Sequence, residues 1–134
     1  DTAVDIGGEL HVQEGDDVEV TIRFLDPVGL NWAGQDPAVH RVDLIAGQVT
    51  GPAADRSIDT NPTTRVLARF SPQQWRSAGS YQVMSYRMNA VAHSSYLRIR
   101  GTNGQELEPA MDPAGEDPWS DLWFYSNPIF IVVD

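Results

Sequence analysis

From Asp16 to Phe24 the chain reads DDVEVTIRF, with Val18, Val20, Ile22 and Phe24 on one side and Glu19, Thr21 and Arg23 on the other. Successive side chains of an extended backbone point to opposite faces, so a period of two describes a strand with one buried face. A helix would scatter the same four apolar side chains around its axis. The alternation returns in HRVDLIAG (40–47), where Val42 and Leu44 oppose Arg41, Asp43 and Ile45. It returns again in TRVLARF (64–70), where Val66, Ala68 and Phe70 oppose Arg65, Leu67 and Arg69. SYQVMSYRM (80–88) alternates as well, and in residues 95–100 Leu97 and Ile99 oppose Tyr96, Arg98 and Arg100.

Glu9 to Val12 predicts a short strand before the Glu14-Gly15-Asp16 turn, and Pro128 to Val133 predicts a closing one. Between the strands lie turn formers: two Asp-Pro pairs in 25–37, the polar run TGPAADRSIDTNP, and a Gly-, Pro- and acid-rich loop over 101–121. SPQQWRSAG (71–79) alone suits a helical turn, with Ser71 as cap and Pro72 at its first position. About seven strands without alternating helices predict an all-β fold, an antiparallel immunoglobulin-like β-sandwich. The 134 residues suffice for one core, with 1–8 as a lead-in and 9–134 as a single domain. The chain opens at Asp1 without a signal peptide, and we expect a domain of a longer polypeptide.

Charge narrows the functional classes. Nineteen acidic residues face nine arginines and no lysine, a net charge of −10. Such a surface repels nucleic-acid phosphates and anionic lipid, and no apolar run is long enough to span a bilayer, so neither partner is expected. The absence of cysteine removes disulfides, thiolate metal sites and cysteine nucleophiles.

Catalytic patterns are missing. His11, His40 and His93 stand far apart, with no His-x-His or His-Glu-x-x-His spacing, no nucleophile elbow and no phosphate loop. The isolated domain therefore reads as a non-enzyme. Binding has better material. Calcium takes about six to eight oxygens from loops, and EPAMDPAGEDPWSD offers Glu108, Asp112, Glu116, Asp117 and Asp121. These make a candidate calcium site, with DRSIDTN (55–61) behind it, although neither has EF-hand spacing. Trp32, Trp119 and Trp123, with Trp75, are candidates for stacking on sugar rings, against the alternative of filling the core. Arg98 and Arg100 share a strand face, either pairing with Asp43 or Glu19 across strands or clamping an anion.

DVEVTIRFLDP, HRVDLIAG, YLRIRGTN and DLWFYSNPIFI, with DTNPTT at 59–64, together resemble the C-terminal β-sandwich region of bacterial secreted phosphoesterase-like proteins of the PHP superfamily. The resemblance spans about Glu9 to Val133. It implies a secreted or cell-surface bacterial protein and a metal-dependent hydrolase domain preceding this one in the same chain. The family's His and Asp ligands belong to that hydrolase domain, and its His-x-His element is missing here, so no catalytic residue is carried over. The function implied is a non-catalytic accessory domain that packs on the hydrolase or orients its substrate. An independent calcium- or carbohydrate-binding module is the alternative.

Overall fold

The structure, a computed structural model, describes residues 2–134. Nine strand segments among them form two sheets. In one sheet β1 (Glu9–Val12), β9 (Ile129–Val133), β7 (Ser95–Thr102), β3 (Arg41–Gln48) and β4 (Arg65–Phe70) lie side by side in that order. A short β8 (Trp123–Tyr125) also pairs with β7. The other sheet is β2 (Val18–Leu25), β6 (Tyr81–Met88) and β5 (Arg76–Ala78). Every pairing is antiparallel except that of β1 with β9.

The alternation accounts for how the sheets meet. Val18, Ile22 and Phe24 of β2 and Met84 of β6 enter one core with Val42, Leu44 and Ala46 of β3, Phe70 of β4, Leu97 of β7 and Ile131 of β9. Each is almost wholly buried, which at roughly 1.5–3 kcal/mol per large apolar side chain is the main force holding sheet to sheet. The fold is all-β, as the periodicity predicts.

Four local features differ from the sequence reading. Two strand segments, Arg76–Ala78 and Trp123–Tyr125, come in addition to the expected set. The expected helical turn shrinks to a single 3-10 turn, Pro72–Gln74, in which the Gln74 side chain accepts the Ser71 N–H at 3.0 Å. The chain is extended again at Trp75, whose ring packs edge-on against Phe24 with centroids 5.2 Å apart. Packing that half-buried indole against the core outweighs continuing a short helix.

In β4 the ladder slips. Ala68 faces Leu44, yet Val66 faces Ile45 and Arg65 faces Ala46, so Leu67 is the extra residue of a β-bulge. Leu67 therefore packs against the core, and Arg65 stands opposite a core residue. The expectation of one shared face for Arg65, Leu67 and Arg69 fails for this reason.

The C-terminal stretch is one strand path with a step in it. β8 pairs Thr102 to Arg100, β9 pairs Leu97 to Ser95, and Ser126 bridges the gap. Its N–H donates to Ile99 O at 2.9 Å, and its hydroxyl accepts the Ile99 N–H at 3.0 Å. Of β9 only Ile131 is fully buried; its neighbours are half-buried. The lead-in is tied to the same strand, since Gly7 N–H donates to Pro128 O and Phe130 N–H to Gly8 O.

Candidate functional site

The centre of the site is Asp43, which alternation places on the outer face of β3. Outer-face carboxylates are normally solvated, but Asp43 is 1% exposed. Register explains its neighbours: Arg69 of β4 lies opposite on one side and Arg100 of β7 on the other. Arg41 stands two residues along on the same face. Asp43 accepts from Arg41 Nε at 3.0 Å, Arg69 Nη1 at 2.7 Å and Arg100 Nε at 2.9 Å.

The β7–β8 loop (103–122) folds over this cluster and completes it. Glu108 meets Arg69 at 2.9 Å and Arg100 at 2.7 Å. Leu107 O accepts from both Arg69 and Arg100 at 3.0 Å, and Glu106 O accepts from Arg41 at 2.6 Å. Underneath, the Trp123 indole lies 5.4 Å from the Arg100 guanidinium and 5.7 Å from that of Arg41, within cation–π range. Arginine suits this place because its planar fork can reach a carboxylate and a carbonyl at once.

The charges respond to one another. Hydrogen bonding to Arg100, reinforced by Arg69 and opposed by burial, pulls the Glu108 carboxyl from 4.5 down to about 2. Arg100 is raised above its ordinary value, chiefly by its bond to Glu108, against the opposing effect of burial. The cluster is a brace that fixes the long loop on the sheet.

A second contact joins this loop to the β2–β3 loop. The Asn31 carboxamide oxygen accepts the N–H groups of Ala33 and Gln35, both at 3.0 Å, which curls residues 31–35 into a tight turn. Gln35 Nε2 then donates to Asp117 at 2.8 Å, and Trp32 meets Trp119 with ring centroids 6.5 Å apart. Trp32 is 91% exposed, and Val28, Leu30 and Met111 on the same two loops are exposed as well.

The candidates thus separate. Trp32 and Trp119 come together at the surface, whereas Trp123 and Trp75 are engaged with arginines and with the core. Arg100 is inside the brace and pairs with Asp43, while Arg98, opposite Ile45, is exposed and stands apart. Glu19 lies in the other sheet opposite Arg87 and meets neither arginine.

Of the acidic loop residues, Glu108 is taken by arginines. Asp117 accepts from Gln35 and from the Trp119 N–H, and Glu116 meets the Ser120 hydroxyl at 3.4 Å. Asp112 and Asp121 do not join them: among the described residues no three acidic or histidine side chains converge where a cation would sit. Sequence reasoning missed Arg41 and Arg69 as members of the brace. Arg41-x-Asp43 was the available signal, because residues two apart on a strand share a face.

No helix of the described residues is long and apolar enough to cross a membrane. Comparison with known protein families, characterised proteins and solved structures finds no match to this chain.

Proposed function

We propose that the chain is a non-catalytic accessory module that docks through its loop end onto the hydrolase domain of a larger phosphoesterase-like polypeptide. The observation that carries this reading is the outward display of Val28, Leu30, Trp32, Met111 and Trp119 on two loops, one of which is tied at Glu106, Leu107 and Glu108 to arginines of the sheet. Exposed apolar side chains gathered at one end mark a contact surface. The sequence resemblance supplies the identity of the partner.

The strand order supports an immunoglobulin-like sandwich. Named by the variable-domain letters, β2-β6-β5 takes the places of B-E-D, and β9-β7-β3-β4 those of G-F-C-C′. Loops at one end of such sandwiches carry recognition in many unrelated proteins, so the fold itself leaves the partner open.

The test is association of the purified chain with the separately produced adjoining domain, followed by calorimetry. Docking lost on Trp32→Ala with Leu30→Ser supports the reading. Undiminished docking of that double variant, or metal-dependent phosphoesterase activity in the purified chain, overturns it.

A second reading is favoured by one specific contact. The Trp32–Trp119 pair, with the Asp117 carboxylate and Gln35 amide beside it, offers stacking surface and polar groups suited to a sugar ring. Glycan-array binding lost on Trp119→Ala would favour it, and a blank array would remove it.

A further inference from the structure

At the other end of the sheets, away from both loops, lies a cavity of about 320 Å³ between β4 and β6. It exists because β5 pairs β6 only from Tyr81 to Val83, which leaves the two sheets uncovered along Tyr86 to Met88. Tyr86 and Met88 form one wall. Their register partners Val20 and Val18 belong to the core side of β2, so both side chains face inward. Leu67 and Ala46 form the other wall, and Val91 lies at the base.

Charge distribution in this cavity runs against that of the chain. Among its lining residues there is no Asp or Glu, although the protein carries nineteen; Arg65, Arg87 and His93 are present instead. Arg87 is engaged by Asp17 at 2.7 Å. Arg65 is in no ion pair among the described residues. It is also the residue that the β4 bulge re-aims, from the outer face that unbroken alternation would give it to the position opposite Ala46.

Two further observations mark the cavity. The Ser95 hydroxyl, on a 7% exposed residue of its lining, has no hydrogen-bond partner. Ala90, also in the lining, is the one non-glycine residue with positive φ among those described, at 48°. Its N–H is held by Asp17 at 2.8 Å. Bulges, unpaired buried polar atoms and left-handed backbone concentrate where a fold is shaped by something other than its own packing.

We propose that this cavity binds a small organic carboxylate with an apolar or aromatic body. The body lies between Leu67 and the Tyr86–Met88 wall, and the carboxylate pairs with Arg65 at the mouth, beside His93. The volume is at the lower end of what small-ligand sites occupy, which sets the size of one ring or a short chain. This inference concerns a site separate from the loop end and does not depend on the docking proposal.

The experiment is titration of the ¹⁵N-labelled chain with benzoate, and with benzyl alcohol as the neutral counterpart. Benzoate is expected to shift amides of residues 86–95, to weaken with added salt, and to bind at least about tenfold less tightly to Arg65→Gln, as expected for loss of a charge-assisted bond. Arg65→Lys should recover part of the affinity. Equal binding of benzyl alcohol, equal binding to Arg65→Gln, or shifts confined to residues outside the cavity would overturn the proposal. So would no shift at saturating benzoate while the variant's spectrum shows an intact fold.

Discussion

Replacing Asp43 by Asn keeps the side chain's shape and removes only its charge and one acceptor oxygen. In the native chain one oxygen serves Arg41 and the other serves both Arg69 and Arg100. Whichever way the amide turns, its NH₂ faces at least one guanidinium donor. Arg69 and Arg100, the latter with only 7% of its side chain exposed, then keep Glu108 as their carboxylate, while Arg41 keeps the Glu106 carbonyl and no carboxylate. Removing one partner of a buried ion pair costs about 3–5 kcal/mol, because the remaining charge stays desolvated. Arg69 is a third exposed and Glu108 persists, so the lower end applies, about 3 kcal/mol.

That is a large part of the roughly 5–15 kcal/mol holding a domain of this size together. At about 4 °C per kcal/mol it lowers the melting temperature by about 12 °C. Urea unfolding followed by far-ultraviolet circular dichroism measures it, with an unchanged slope showing that the folded state remains compact. Arg98→Gln, at the exposed arginine of the same strand, is the control and should stay within about 0.5 kcal/mol. In an Arg100→Met background Asp43→Asn should cost less, since one fewer cation is stranded. A loss below about 1 kcal/mol, or the same loss in both backgrounds, would refute the view that the cluster is a coupled brace.

Three other outcomes follow from separate features. Glu108 has a depressed pKa, so its stabilisation is complete above about 4.5 and is lost as pH falls through about 2. The melting-temperature gap between wild type and Glu108→Gln should therefore narrow across that window, and a constant gap would contradict the ion pairing. Gly101→Ala puts a methyl group into the space held by the Phe124 ring and should cost about 2–3 kcal/mol in urea unfolding, with near-neutrality counting against that close contact. Ala90→Gly, at φ 48°, should stabilise by about 0.5–1 kcal/mol in urea unfolding as left-handed strain is relieved, and a loss of stability would count against strain at that position.

The strands were legible where one face is buried and the other is wet. In β2 the period of two maps directly onto burial, with Val18, Ile22 and Phe24 enclosed and Glu19, Thr21 and Arg23 exposed. β4 shows the limit of that reading. Its letters alternate as cleanly as those of β2, but one extra residue at Leu67 reverses the face of everything before it. Periodicity cannot report a bulge, because a bulge is a mismatch between two strands and each strand taken singly is regular. β8 was hidden for a related reason: three residues are too few for a period, and what makes them a strand is the open edge of β7.

The site was half legible, and the missing half was burial. Alternation put Asp43 and Arg100 on one face and made their pairing a reasonable expectation. It also implied solvent on that face, where such a pair contributes little. What changes the energetics is the β7–β8 loop, whose carbonyls and Glu108 close over the arginines. In sequence those loop residues read as a supply of calcium ligands, since a carboxylate looks the same whether a cation or a guanidinium awaits it. In the structure Glu108 reaches two arginines, and among the described residues no three acidic or histidine side chains come together. Bracing and display are then two consequences of one arrangement. The same loop that is tied to the sheet at Glu108 carries Trp119, and its contacts at Asp117 with Gln35 and at Trp119 with Trp32 join it to the β2–β3 loop.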